Sequence, residues 1–191
     1  MTPSEPQRTD VQLIRDCQSH DQAAFRYLVE RYQATAFRFA FRLSCETMLA
    51  EDICQKAFLR VWNYRLKLNP EARFATLLYT IVSRLWIDET RSRNRRPSSK
   101  DSIDLNQDLI SNEPSLETIS HNQDLARRIK RLSHKLPPKQ RLVFTLRDLE
   151  DLSIAEVVQI TGISTGSVKT NLSLARRKLR QQLQAITGIE S

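Results

Sequence analysis

Glycine is nearly absent from this chain, and its scarcity constrains the fold more than any other feature of the sequence. Only three of the 191 residues are glycine, at Gly162, Gly166 and Gly188, so the first 161 positions contain none. Phosphate-binding loops need glycine for positive φ and for close approach of the backbone to the ligand, so Walker-type and Rossmann-type nucleotide sites are excluded there. Tight β-hairpins that depend on glycine are disfavoured as well. We therefore expect a helical protein.

The composition is typical of a folded protein that has an anionic partner. Hydrophobic residues make up 40% of the chain, which is enough for a core, and 30 Lys and Arg against 22 Asp and Glu give a net charge of +8. The longest uncharged stretch of the central region, residues 74–83, is shorter than the roughly 18 residues of a membrane span. The N-terminus has no signal-peptide pattern, and Cys17, Cys45 and Cys54 form no CxxC pair. We expect a cytoplasmic protein without disulfides or membrane insertion.

Apolar residues in the N-terminal half recur at steps of three or four, the signature of amphipathic helices. After a candidate N-cap at Asp21, the first such run contains Phe25, Leu28, Tyr32, Ala36 and Phe39. Further helices are predicted over residues 50–64 and 71–93, separated by a break at Pro70, because the residue before a proline avoids the helical region.

A change in composition near residue 97 predicts a boundary between two domains. Residues 101–117 contain several Asp and Glu but no Lys or Arg. The predicted organisation is all-α, with two small helical domains joined by an acidic flexible linker. Its parts are a disordered tail (1–11), a first domain (12–97), the linker (98–119) and a second domain (120–191).

The C-terminal segment has the pattern of a helix-turn-helix. Ser153 is placed to cap a short helix, Gly162 falls at the turn where positive φ is needed, and Ser164 is placed to cap the next helix. Val158 stands where such units usually carry alanine, a small departure. The second helix carries one apolar seam, formed by Val168, Leu172, Ala175, Leu179 and Leu183.

Polar and basic residues occupy the other side of this second helix. Hydroxyl groups near the start of a recognition helix reach base edges, whereas Arg and Lys further along neutralise phosphates. The pattern predicts binding in a DNA major groove, and a helical hairpin with a solvated basic face is the alternative. The predicted contacts are Ser164, Thr165, Ser167, Lys169, Thr170, Ser173, Arg176, Arg177 and Arg180.

The C-terminal segment LSIAEVVQITGISTGSVKTNLSLARRKLR resembles the promoter-reading domain of bacterial sigma factors, in the form found in the extracytoplasmic-function group. Three N-terminal segments, AFRYLVERYQATAFRFAFRL, AEDICQKAFLRVW and RFATLLYTIVSRLWIDETRSRNRRP, are similar to the other domain of these factors, in family order. The resemblance implies binding to core RNA polymerase at the β′ clamp and β flap, promoter recognition at the −10 and −35 elements, and inhibition by an anti-sigma factor.

The resemblance also implies which residues contact the polymerase. In AEDICQKAFLRVW the matching positions are Asp52, Gln55, Lys56, Phe58 and Trp62. Lys56 departs from the family, which usually has an acidic residue there. For the two aromatic rings, packing in the core is an equally good interpretation.

Residues expected to bind and melt the −10 element follow in the third segment. Core packing is the alternative for Tyr79 and Trp86, and phosphate contact is expected for the arginine run. Leu77 and Arg84 depart from the family pattern, so the −10 sequence cannot be transferred from relatives. The predicted −10 contacts are Tyr79, Arg84, Trp86, Asp88, Arg91, Arg93, Arg95 and Arg96.

No catalytic or metal-binding pattern is found in the sequence. His20, His121 and His134 are scattered and have no zinc-ligand spacing, so we expect neither enzymatic activity nor a cofactor. Two other functions are considered. A conventional helix-turn-helix regulator would bind DNA tightly without polymerase, and a helical adaptor would act through protein contacts alone. The ordered motifs in both halves argue against each.

Overall fold

The computed structural model describes residues 8–95 and 132–187, and within these ranges the chain is helical and forms no strand. This confirms the all-α prediction. The predicted linker lies outside the described residues, as does residue 96. The helices are α1 (Asp10–Gln18), α2 (Gln22–Ser44), α3 (Thr47–Tyr64) with a 3₁₀ turn (Arg65–Lys67), α4 (Phe74–Arg95), α5 (Pro138–Phe144) with a π-helical turn (Thr145–Leu149), α6 (Ile154–Thr161) and α7 (Thr165–Thr187).

Side-chain caps explain where the first two helices begin. Thr9 and Gln12 form a capping box at α1, so ordered helix starts two residues before the predicted domain boundary at residue 12. Asp21 accepts hydrogen bonds from the backbone N–H groups of Ala23 and Ala24 at 2.8 and 3.2 Å, which confirms the predicted cap of α2.

The start of α4 differs from the prediction. The sequence predicts a helix from residue 71, whereas α4 begins at Phe74. The side chain of Asn69 accepts a hydrogen bond from the backbone N–H of Glu71 at 3.0 Å, and its carbonyl accepts one from Ala72. These local bonds form a turn that competes with the first turn of the helix.

The first four helices pack as a bundle in which α2 contacts α1, α3 and α4. The apolar stripes predicted from the sequence supply its centre, because residues three and four apart lie on one face of a helix. Its largest fully buried side chains are Leu13, Ile14, Leu28, Phe39, Leu43, Ile53, Val61, Phe74 and Val82.

The C-terminal helices form the predicted helix-turn-helix. Ser153 and Glu156 make a capping box at α6, and Gly162 ends this helix with a φ of 71°. Ser164 accepts a hydrogen bond from the backbone N–H of Ser167 at 3.3 Å, as predicted for the cap of α7. Val158 is only half-buried, so its bulk is accommodated at the edge of the helix pair. The seam of α7 packs on α5 and α6, with Val168, Leu172, Ala175 and Leu179 buried.

Replacing Gly162 with alanine is expected to lower the free energy of unfolding by about 1–2 kcal/mol, because a Cβ at this positive φ meets its own backbone. No other atom lies within 4 Å of an added Cβ at either Gly162 or Gly166. Gly166→Ala is therefore the matched control, and it should raise stability by about 0.5 kcal/mol because it lies in a helix. Chemical denaturation followed by circular dichroism measures both. Equal effects of the two substitutions would contradict the assignment of the turn.

The two helical units pack against each other. Helix α4 contacts α6 and α5, and α2 contacts the π-helical turn. The contacts that join the two units involve the face of α4 that carries Tyr79 and Trp86, the two aromatic residues predicted to bind DNA.

Candidate functional site

The outer face of α3 carries an exposed stripe that combines apolar and polar side chains. Met48, Asp52, Gln55 and Leu59 follow steps of four, three and four, so they lie along one side of the helix. Met48 is 79% exposed and Leu59 is 55% exposed, which is unusual for side chains of this size. The sequence analysis found Asp52 and Gln55 but missed the two apolar residues, which continuing the same spacing in both directions would have found.

Lys56 lies beside this stripe and pairs with one of its members. Its ammonium group is 2.6 Å from a carboxylate oxygen of Asp52, one helical turn earlier, and both side chains are about half exposed. The departure from the family pattern at Lys56 therefore has a local consequence, because the lysine partly neutralises the carboxylate that the stripe presents.

The two aromatic rings of α3 differ in their position relative to this stripe, because Trp62 follows Leu59 by three residues on the same side of the helix and Phe58 does not. Phe58 is only 8% exposed and lies in the hydrophobic core. Trp62 is half-buried, its ring centroid lies 5.0 Å from that of Phe25, and the guanidinium of Arg65 covers it at 4.1 Å. Phe58 thus packs in the core, which was one of the two interpretations of the sequence, whereas Trp62 keeps part of its surface accessible beside the stripe.

Helix α4 presents two faces of different character. Arg84, Asp88, Arg91 and Arg95 recur at steps of four, three and four and are exposed, so they form one polar and mainly basic face. Arg93 is also exposed, but its guanidinium pairs with Glu46 at 2.9 Å and Glu89 at 3.1 Å. Arg96 lies outside the described part of the chain.

The ring-bearing face of α4 is turned away from solvent. The Tyr79 hydroxyl donates a hydrogen bond to Glu150 at 2.9 Å, and the ring meets Phe39 edge-on at 4.7 Å between centroids. Burial and the neighbouring Glu150 carboxylate raise the pKa of Tyr79, so the hydroxyl stays protonated. Trp86 is 3% exposed and lies beneath the guanidinium of Arg141, 5.5 Å from the ring centroid. The structure therefore separates these rings from the basic residues with which the sequence analysis grouped them.

Helix α7 displays most of its predicted DNA contacts at the surface. Ser167 is the exception, because it is half-buried and its backbone and side chain accept hydrogen bonds from Asn171. The exposed members are Ser164, Thr165, Lys169, Thr170, Ser173, Arg176, Arg177 and Arg180. The hydroxyl groups thus precede the arginines along the accessible side of the helix, as the sequence predicted, and Lys169 lies among the hydroxyl groups.

Arg176 differs from the other cations of α7 because it makes an ion pair with the π-helical turn. Its Nε and Nη2 atoms lie 2.8 and 2.7 Å from the two carboxylate oxygens of Asp148, a bidentate arrangement that raises the pKa of Arg176. Arg176 directly follows the buried Ala175, so it emerges at the edge of the apolar seam rather than opposite to it. The neighbouring Arg147 pairs instead with Asp151 at 3.3 Å.

Comparisons with known proteins match both halves of the chain. The family model described as Sigma-70 region 2 matches residues 28–96, and the model described as Sigma-70, region 4 matches residues 126–179. The ECF RNA polymerase sigma factor SigW of Bacillus subtilis is 28% identical over 179 residues, covering 90% of this chain and 95% of SigW. The chain belongs to the sigma-70 family, in its extracytoplasmic-function group. The ECF RNA polymerase sigma-E factor of Escherichia coli K12 is 27% identical over 186 residues, covering 94% of this sigma factor and 97% of its own length.

Solved structures show the same fold. CnrH, in complex with the cytosolic domain of CnrY, aligns with a TM-score of 0.66 at 21% identity, over 92% of this sigma factor and 97% of CnrH. The sigma factor RpoE from Bartonella quintana, in complex with the anti-sigma factor NepR, aligns with a TM-score of 0.65 at 22% identity, over 84% and 96% of the two chains.

Across residues 8–95 and 132–187, no group of three or more His, Cys, Asp or Glu side chains is placed to hold a metal ion. In the same ranges, no helix is both long enough and apolar enough to cross a lipid bilayer.

Proposed function

We propose that this sigma factor binds core RNA polymerase and directs it to particular promoters. The first domain, residues 12–97, docks on the β′ clamp and opens the −10 element, and the second, residues 120–191, contacts the β flap and binds the −35 element. The protein is not itself an enzyme, needs no cofactor, and acts in the cytoplasm, where the polymerase catalyses RNA synthesis. The observation that carries this proposal is the presence of two unlike exposed surfaces, one on α3 and one on α7.

The stripe on α3 has the character of a protein-binding surface. Met48 and Leu59 expose apolar side chains, and Asp52 and Gln55 lie between them with groups that accept or donate hydrogen bonds. Protein interfaces combine apolar side chains, which gain by burial, with polar groups that fix orientation, and this stripe offers both. We assign the clamp contact to this stripe, which Phe58 supports from the core and the half-buried Trp62 continues at its C-terminal end. Lys56 partly neutralises the carboxylate of Asp52, so this factor suits a polymerase whose clamp is matched to that weaker negative charge.

The surface of α7 has the character of a major-groove reader. Thr165, Lys169 and Thr170 are exposed in its first two turns, and Arg177 and Arg180 follow. Short side chains near the N-terminus of a recognition helix approach bases, whereas the later cations lie near phosphates. Arg176 holds the π-helical turn against α7 through Asp148, and its exposed side chain would contact phosphate at the edge of this surface.

An anti-sigma factor holds this sigma factor inactive in our proposal. RpoE of Bartonella quintana, which has the same fold, was solved in complex with the anti-sigma factor NepR. A partner that covers the stripe on α3 would prevent docking on the clamp.

Transcription from a library of genomic promoter fragments tests the proposal. Purified sigma factor is added to core polymerase from the same source, with core alone as the control. Initiation at defined start sites that requires the added protein supports the proposal and reveals both promoter elements. Tight binding to particular DNA without polymerase, and no initiation with it, would instead favour a conventional helix-turn-helix regulator.

A further inference from the structure

We propose that Glu150 is a latch that holds the free sigma factor closed, with the C-terminal helices covering the ring-bearing face of α4. In the closed form Tyr79 and Trp86 are unavailable to DNA, and release of Glu150 exposes them. The consequence for promoter DNA rests on the proposed function, whereas the closed and open forms themselves do not.

The Glu150 side chain is a charged group that this contact encloses almost completely. It is only 6% exposed, and it lies at the end of the π-helical turn. One carboxylate oxygen is 2.7 Å from the Arg42 guanidinium on α2, and the other accepts a hydrogen bond from the Tyr79 hydroxyl on α4 at 2.9 Å. The same Arg42 guanidinium donates to the Leu149 carbonyl at 2.6 Å. Glu150 therefore ties two helices of the first domain to the second.

Other polar contacts surround this latch. Arg141 on α5 donates to the Leu43 carbonyl at 2.8 Å and covers the Trp86 ring. The His134 ring contacts the Ser44 carbonyl at 3.1 Å, and at the periphery Arg73 pairs with Glu156 at 2.7 Å. Each contact joins the N-terminal bundle to the C-terminal unit.

The interface leaves a gap that is open to solvent. A cleft of about 150 Å³ is lined in part by Trp86, Arg93, His134 and Arg141, so the two surfaces do not fill the space between them there. A carboxylate that leaves such an interface becomes hydrated, and this offsets part of the energy of its lost contacts. If Glu150 stayed buried without its contacts to Arg42 and Tyr79, nothing would offset the cost of keeping its charge away from water. Loss of these contacts therefore favours the open form, in which the two domains have separated.

The closed form leaves other surfaces accessible. The stripe on α3 and the basic face of α4, which includes Arg84, Arg91 and Arg95, remain exposed. The sigma factor in its closed form can therefore bind the polymerase before Tyr79 and Trp86 become exposed. Unpaired bases stack on aromatic side chains, so stacking at Tyr79 or Trp86 requires that Glu150 and Arg141 first move away.

The two tryptophans of the chain allow a direct test. In a Trp62→Phe background, Trp86 is the sole tryptophan and reports on the interface. Glu150→Lys places a cation opposite Arg42 and is expected to lower the ratio of closed to open molecules by at least about 100-fold. Glu30→Lys, an identical charge change at an exposed position of α2, is the matched control. Trp86 emission, acrylamide quenching and the radius of gyration from small-angle scattering are measured on the free, full-length protein.

In Glu150→Lys we expect Trp86 emission that is red-shifted and more readily quenched, and a larger radius of gyration. The helical circular dichroism should equal that of the control. Values equal to those of Glu30→Lys would overturn the latch. If Glu150→Lys loses helical signal, Tyr79→Phe decides instead, because it removes one hydroxyl donor and keeps the ring. This variant should shift Trp86 quenching in the same direction by a smaller amount, and an unchanged signal would overturn the proposal. None of these measurements involves polymerase, so failure of the proposed function is seen separately, in transcription.

Discussion

Reversing the charges of Lys169 and Arg177 together is expected to lower promoter-dependent transcription by at least about 100-fold, because two attractions to DNA phosphate become repulsions. Both side chains are exposed on α7, so the substitutions leave the core of the domain intact. The affinity for core polymerase should change little, since the clamp contact is assigned to the stripe on α3 and the two substituted side chains lie on the face of α7 assigned to DNA. Abortive initiation on a promoter identified in the fragment library measures the first effect, and direct binding to core measures the second.

The control for this experiment reverses two exposed cations elsewhere, Arg26 on α2 and Lys139 on α5. It changes the net charge equally and should retain most of the transcription. Arg176 is left unchanged in both variants, because its loss would leave Asp148 without its partner and mix a folding defect with a DNA-binding defect. Equal losses in the two double variants would mean that overall charge, rather than the face of α7, governs promoter binding.

Replacing Leu59 with aspartate is expected to weaken binding to core polymerase by about 100-fold or more, since a charge without a partner would be buried where the interface would otherwise enclose an apolar side chain. Leu59 is 55% exposed in the free protein, so the thermal stability should change little. Titration of labelled sigma factor with core polymerase measures the affinity, and thermal unfolding measures the stability.

Tyr27→Asp is the matched control for this second prediction. Tyr27 is a large side chain on α2 with a similar exposure of 47%, and it lies outside the stripe on α3. This variant should bind core polymerase with the affinity of the native protein. If Leu59→Asp also binds normally, the stripe is not the docking surface, and the assignment of Met48 and Leu59 fails with it.

The sequence by itself determined the features that depend on neighbouring residues. Asp21 and Ser153 cap helices where the sequence placed them, because a cap needs only a side chain and the next few backbone N–H groups. Gly162 ends α6 at positive φ for the same local reason. The polar and basic side of α7 could likewise be predicted from the spacing of its residues, since a helix places residues three and four apart on one face.

The tertiary structure decided which of these faces are covered. Periodicity groups Tyr79 with Trp86 but does not say what lies against them, and Glu150, which contacts Tyr79, is 71 residues away in the chain. The contact between Arg42 and Glu150 spans 108 residues, and that between Asp148 and Arg176 spans 28. A helix fixes only the relative directions of its own side chains, whereas burial and ion pairing depend on groups that folding brings from distant parts of the sequence. The latch at Glu150 is therefore visible only in the folded protein.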